Sequence, residues 1–121
     1  MFWWLYYTSN LENDRFVKRQ DYADYPVVIW LQGGPGASST GYGNFELIGP
    51  LDSDLNIRNS SWVQHANLLF IDNPVGTGFS YVTDTDAFTT NNQMIAKDLV
   101  SVMKHFFLSN KQFEVTVSHT H

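Results

Sequence analysis

The chain has 121 residues, which suits one small domain or a piece of a larger one. Aromatic side chains make up 16% and charged side chains 16%, so the composition excludes a disordered protein. The formal charge is −5 and the seven Lys and Arg residues form no cluster, so neither nucleic acid nor an anionic membrane is expected as a partner. There is no cysteine, which rules out disulfides and thiolate metal sites.

The first predicted element is a strand over Phe2–Tyr7, because five of its six residues are aromatic. The apolar start lacks a basic region and is too short for a signal peptide, and no run is long enough for a transmembrane helix. A chain that begins with Met1 inside a strand is therefore expected to be truncated at its front. Residues 8–24 are polar and predict a loop with room for a helical turn.

The second predicted strand, Val27–Leu31, breaks into a glycine loop at Gly33–Gly36. Such a loop brings bare backbone N–H groups to the end of a strand, where open α/β sheets bind their ligands. Three interpretations stay open: an oxyanion hole, a phosphate cradle and a plain tight turn. The phosphate cradle is disfavoured because no Gly-Lys-Ser/Thr sequence follows the glycines.

The third predicted strand, Leu68–Asp72, is a continuous apolar run, as expected for a strand covered on both faces. A second glycine turn, Asn73–Gly78, follows it. The last predicted element is a helix over Asn91–Leu108, capped by Thr90 or Asn91. Its apolar face is formed by residues at helical spacing: Ile95, Leu99, Val102, Met103 and Phe106.

These elements predict a mixed or parallel sheet with helices against it. Because only one helix is convincing, one or both faces of the sheet are expected to be bare. Large aromatics such as Trp3, Trp4 and Trp62 are then expected to lie near water. The tail, residues 110–121, alternates weakly, which fits either a strand or no regular structure.

The serines next to the two glycine turns are candidate nucleophiles. Ser80 lies in Gly-Phe-Ser-Tyr-Val, which lacks the second glycine of the G-x-S-x-G elbow and precedes a polar loop instead of a helix. Ser80 is therefore not expected to be a nucleophile. Ser38 and Ser39 follow the first glycine loop, but no helix signal follows them closely. They are expected to hydrogen-bond the loop to itself.

Other polar side chains carry weaker signals. Glu46, among apolar neighbours, is either a solvent-pointing side chain or a carboxyl held in a pocket that raises its pKa. His119 and His121 near the terminus are a weak metal signal, and no metal site is expected. Asn59-Ser60-Ser61 matches the N-glycosylation pattern, which makes Asn59 a candidate if the chain enters the secretory route.

A set of motifs in a fixed order resembles a known family. The motifs are Trp30–Ser39 (WLQGGPGASS), Phe45-Glu46, Gly49-Pro50, Ser61-Trp62 and Leu69–Tyr81 (LFIDNPVGTGFSY). They resemble the serine carboxypeptidases, peptidase family S10, and within it most the retinoid-inducible branch. The resemblance extends from Phe2 to about Phe113 and implies an α/β-hydrolase fold.

The resemblance also implies a function. It implies a secreted, vacuolar or lysosomal enzyme that removes C-terminal residues from peptides, usually at acidic pH and without a cofactor. By carry-over, Gly34 supplies one N–H group of the oxyanion hole. The site for the substrate's C-terminal carboxylate is formed by Trp30, Gln32, Gly33 and Glu46. A protonated Glu46 would donate a hydrogen bond there, and Gln32 stands where the family usually has Asn.

The family continues with a Gly-x-Ser-Tyr-Gly-Gly elbow and later with the triad Asp and His, none of which can be assigned here. The resemblance therefore implies a partial α/β-hydrolase fold, truncated before the nucleophile elbow: an N-terminal part over residues 1–113 and a divergent tail over 114–121. No hydrolysis by this chain alone is expected. Two alternatives are a non-enzymatic binding or decoy fragment that pairs with a full-length homologue, and a fragment of a carboxypeptidase-like acyltransferase.

Overall fold

A three-stranded mixed sheet lies at the centre of the structure, a computed structural model that describes residues 1–11 and 18–116. The strands are β1 (Trp3–Tyr6), β2 (Val27–Trp30) and β3 (Asn67–Ile71). The strand order is β1-β3-β2, and β3 is antiparallel to β1 and parallel to β2. The three predicted strands and the mixed sheet are therefore confirmed: β1 is two residues shorter than predicted and β2 one residue shorter, whereas β3 keeps its predicted length and begins one residue earlier.

The central strand β3 is buried along its whole length, as its apolar sequence predicts. Successive side chains of a strand point to opposite faces of the sheet. Leu68 and Phe70 accordingly belong to the core on one face, whereas Leu69 and Ile71 belong to the core on the other. This strand fixes the position of both neighbours, because β1 and β2 each pair with it in the described sheet.

Both faces of the central strand are covered, so the expectation of a bare face is wrong for β3, but it holds in part at the edge strands, where Trp4 of β1 and Ile29 of β2 are 39% and 41% exposed. On one face, Ile48 and Val63 pack against Phe70 and Leu68. On the other face, an α-helix places Phe106 over Leu69 and Ile71. The cover was underestimated because short helices with little apolar periodicity supply much of it. Trp4 and Trp62 are exposed as expected, whereas Trp3 is half-buried against Phe106.

One long helix, α1 (Asn92–Ser109), is confirmed with its predicted cap, because the Asn91 side chain accepts the Met94 N–H at 2.9 Å. A π-helix over Ser39–Ile48 was not predicted. Short 3₁₀ helices complete the fold: Ser9–Leu11, Arg19–Asp24, Trp62–Gln64, Thr85–Ala87 and Lys111–Thr116. No helix of the described residues is both long and apolar enough to cross a membrane.

The 3₁₀ helix Lys111–Thr116 makes the strand interpretation of the tail wrong over those residues. It lies against the rest of the molecule through Phe113, which is fully buried and stacks on Phe106 with ring centroids 6.1 Å apart. Residues 12–17 of the predicted 8–24 loop and the tail beyond 116, including His119 and His121, lie outside the described residues.

Candidate functional site

The glycine loop Gly33–Gly36 follows β2 at the carboxyl end of the parallel β2–β3 pair. That end of a parallel sheet is where ligands bind in open α/β folds. All four residues of the loop are exposed. Within the described part of the chain, the N–H groups of Gly33, Gly34 and Gly36 donate no hydrogen bond. These N–H groups are therefore free to donate to a ligand.

Trp30 and Gln32 form a polar pair at the entrance to this loop. The Trp30 indole Nε1 donates to the Gln32 Oε1 at 3.0 Å. Because an indole N–H only donates, this bond fixes the orientation of the amide and leaves the Gln32 Nε2 available as a donor. A Cβ at Gly43 would lie 2.7 Å from the Trp30 Nε1, so glycine is needed for the π-helix to approach the indole.

Ser38 and Ser39 hold the loop in place. The Ser38 Oγ accepts the Gly41 N–H at 2.9 Å and caps the π-helix, and the Ser39 Oγ accepts the Gln32 N–H at 2.8 Å. The prediction that these serines hydrogen-bond the loop to itself is confirmed for Ser39, whereas Ser38 bonds to the π-helix and to Asp72. A π-helix nevertheless begins at Ser39, although no helix signal follows these serines in the sequence.

Asp72 is a fully buried carboxylate that the sequence reasoning missed as a site residue. Its Oδ1 accepts the Ser38 hydroxyl and the Thr40 N–H, both at 2.9 Å. Its Oδ2 accepts the Thr40 hydroxyl at 2.7 Å and the Phe79 N–H at 3.0 Å. Burial raises the pKa of Asp72, but these four hydrogen bonds outweigh burial and hold the pKa below its ordinary value. The available signal was a carboxylate that ends a fully apolar strand.

Glu46 is exposed on the π-helix, so the solvent-pointing interpretation describes it and no described pocket encloses it. Arg58, which the sequence reasoning also missed, lies against the same turn. Its guanidinium donates to the carbonyl oxygens of Phe45 at 3.2 Å and Leu47 at 2.6 Å, on either side of Glu46. A cation at the C-terminal end of a helix interacts favourably with the helix dipole. Arg58 thereby fixes the backbone that carries Glu46.

Ser80 has a structural role, as predicted. It is buried, its hydroxyl donates to the Asp72 carbonyl at 2.6 Å, and its Oγ accepts the Phe2 N–H at 2.8 Å.

His65 and His105 are exposed, and neither side chain hydrogen-bonds to a serine in the described structure. Residues 1–11 and 18–116 contain no group of three metal-ligating side chains. Asn59 is exposed at a turn.

Comparison with known proteins identifies the class to which this site belongs. The sequence model of the serine carboxypeptidase family matches residues 1–118. Retinoid-inducible serine carboxypeptidase of Mus musculus is 53% identical over 94% of this chain, which spans 24% of that protein. Serine carboxypeptidase-like 51 of Arabidopsis thaliana and venom serine carboxypeptidase of Apis mellifera are each 41% identical, over 92% and 91% of this chain and 23% and 25% of their own lengths.

The chain belongs to the serine carboxypeptidase family. The family implies an α/β-hydrolase fold, with which the mixed sheet and its flanking helices agree. The chain spans about a quarter of the length of the curated relatives that it matches.

Proposed function

We propose that this chain supplies the recognition site for a peptide's C-terminal carboxylate, and part of the oxyanion hole, of a serine-type carboxypeptidase. One observation carries the proposal: among the described residues the N–H groups of Gly33 and Gly34 have no partner, and the residue before them, Gln32, has its side-chain amide oriented by Trp30. A carboxylate accepts hydrogen bonds only, so converging donors are the chemistry that recognises it. Family membership supports peptides as the ligand class.

Successive residues at the start of the loop have different roles in this proposal. Gln32 and Gly33 donate to the carboxylate, and Gly34 donates to the oxyanion that forms at the scissile carbonyl. Glu46, on the π-helix that follows the loop, is the fourth residue that the family resemblance assigns to the carboxylate site. Trp30 acts through Gln32, because its own N–H is occupied by the Gln32 Oε1 at 3.0 Å. The chain is then the N-terminal part of an α/β-hydrolase catalytic domain that acts in the secretory pathway, where the exposed Asn59 would be glycosylated.

Replacing Gln32 by Ala is expected to weaken the binding of a short peptide with a free C-terminus at least tenfold. A hydrogen bond to a charged group is worth about 1.5–3 kcal/mol, which corresponds to at least a factor of about ten in Kd. NMR titration of the 121-residue chain with the peptide and with its C-terminal amide measures the effect. Gln32→Asn restores the donor, and Gln93→Ala, on the exposed first turn of α1, is the matched control. Equal affinity of wild type for the acid and the amide would refute the proposal.

The 121-residue chain on its own is expected to bind peptides without hydrolysing them. Removal of the triad nucleophile from a serine hydrolase leaves only the small contribution of binding and the oxyanion hole. Incubation of the purified chain with a peptide at acidic and at neutral pH, followed by mass spectrometry of the products, measures this. Release of C-terminal residues at a rate that scales with the chain's concentration, and that survives repurification, would contradict the expectation.

A further inference from the structure

The glycine loop Gly33–Gly36 is anchored at both ends by side chains outside it. At its start, the Ser39 Oγ accepts the Gln32 N–H at 2.8 Å. At its end, Asp72 holds the first turn of the π-helix through Ser38 and Thr40. The loop between these anchors is exposed and its glycine N–H groups have no partner among the described residues. Its position therefore depends on the anchors.

The Asp72 anchor joins this loop to the loop that follows β3. Three of the four hydrogen bonds to the carboxylate come from the start of the π-helix, and the fourth comes from the Phe79 N–H in the loop after β3. The Asp72 backbone carbonyl also accepts the Ser80 hydroxyl at 2.6 Å. One residue at the end of the central strand thus connects the loops that follow two parallel strands.

Gly78 is a second, independent sign that the fold accommodates this carboxylate. Its φ is +54°, in the left-handed region that favours glycine. A Cβ at this position would collide with the Asp72 carboxylate and lie 2.7 Å from the Ser38 Oγ. The loop after β3 therefore lies so close to the carboxylate that only a residue without a side chain fits.

We propose that Asp72 is the positioning residue for the Gly33–Gly36 loop, and that protonation of its carboxylate releases the loop. Each carboxylate oxygen accepts two hydrogen bonds, and a protonated oxygen that donates can no longer accept from all of its partners. The groups that face Asp72 are hydroxyl and N–H groups of Ser38 and Thr40 on the π-helix and of Phe79 after β3. Among the described side chains no cation contributes to its ionisation. Protonation of Asp72 therefore affects the Gly33–Gly36 loop through these hydrogen bonds and not through an ion pair.

The coupling has a functional meaning that rests on the proposed carboxylate and oxyanion roles of Gly33 and Gly34. The hydrogen bonds that hold the pKa of Asp72 low keep the loop ordered at acidic pH. The donors of the loop are then in place under the conditions in which the family resemblance implies activity.

An NMR titration of the 121-residue chain from neutral to acidic pH tests this proposal. The carboxyl carbon of Asp72 and the amides of Gly33 and Gly34 are expected to titrate with one common midpoint, while the amides of Leu68–Phe70 in β3 stay unchanged. Thr40→Val removes one hydroxyl donor and is expected to raise the common midpoint by about one pH unit. Thr40→Ser keeps the hydroxyl and is expected to leave the midpoint at its wild-type value.

The titration distinguishes failure of the Asp72 proposal from failure of the proposed function. Glycine amides that stay unchanged while Asp72 protonates, or that keep their midpoint in Thr40→Val while the carboxyl midpoint moves, would overturn the proposal. Loss of the β3 signals together with the glycine signals would also overturn it, because Asp72 would then stabilise the whole fold and not position the loop. A common midpoint in a chain that fails to bind peptides would sustain the positioning role of Asp72 and refute the proposed function alone.

Discussion

Replacing Phe106 by Ala is expected to lower the free energy of unfolding by about 3–5 kcal/mol. Phe106 is fully buried, and its ring lies 5.2 Å from Trp3 in an edge-on contact and 6.1 Å from Phe113 in a stacked one. Truncation opens a cavity where α1, β1 and the last 3₁₀ helix meet. Because whole domains are stable by only about 5–15 kcal/mol, this loss is a large fraction of the total.

Urea unfolding followed by tryptophan fluorescence measures the effect of the Phe106 substitution, since Trp3 reports on the same contact. Leu108→Ala is the matched control, because Leu108 lies on the same helix and is 65% exposed. Its effect is expected to stay within about 0.5 kcal/mol. If the two variants lose the same free energy, the contacts of Phe106 do not stabilise the fold in the way described.

The elements that could be predicted from the sequence are those with a local signal, such as a continuous apolar run, helical spacing of apolar residues or a capping residue. The strand β3 is apolar at every position but its first, and α1 combines an apolar face at helical spacing with an Asn cap. These signals require no knowledge of distant residues. The sheet order follows from them only in part, since a mixed arrangement was predicted but the pairing of β1 with β3 was not.

The π-helix Ser39–Ile48 could not be predicted from its own residues. It contains two glycines and begins with Ser and Thr, which are poor helix formers in a helix interior. Its first turn is held by Asp72, 32 residues away along the chain, and Gly43 lies against Trp30. Tertiary contacts determine this helix, and a pattern within ten residues cannot show them.

The candidate site likewise contains residues that could be predicted from local sequence and residues whose roles depend on distant contacts. The loop Gly33–Gly36 and its supporting serines were predictable because glycines after an apolar strand have a local meaning. Asp72 and Arg58 were missed because their roles consist of hydrogen bonds to residues at least 7 and 11 positions away. Of the two alternatives for Glu46, the enclosing pocket does not form among the described residues, since apolar neighbours in sequence need not enclose a side chain that points outward.

The second large effect is expected at Asn67, a fully buried side chain at the start of β3. Its Oδ1 accepts the Thr8 N–H at 2.9 Å, and its Nδ2 donates to the carbonyl oxygens of Tyr22 at 2.9 Å and Tyr25 at 3.2 Å. Asn67→Asp keeps the shape but places a carboxylate oxygen against two carbonyl oxygens. At neutral pH this uncompensated charge is expected to cost about 3–5 kcal/mol of unfolding free energy.

The free energy of unfolding that Asn67→Asp removes is expected to depend on pH. Burial and the two carbonyl oxygens raise the pKa of the new carboxyl above its unfolded value, so the folded state binds more protons than the unfolded state. The loss of stability is therefore full above the folded-state pKa, and part of it is recovered as the pH falls below that value, where the protonated carboxyl donates to one carbonyl. Urea unfolding at neutral and acidic pH measures the difference, and Asn59→Asp at an exposed turn controls for the added charge. A loss that stays constant with pH, or that grows on acidification relative to this control, would show that Nδ2 of Asn67 does not tie β3 to the segment before β2.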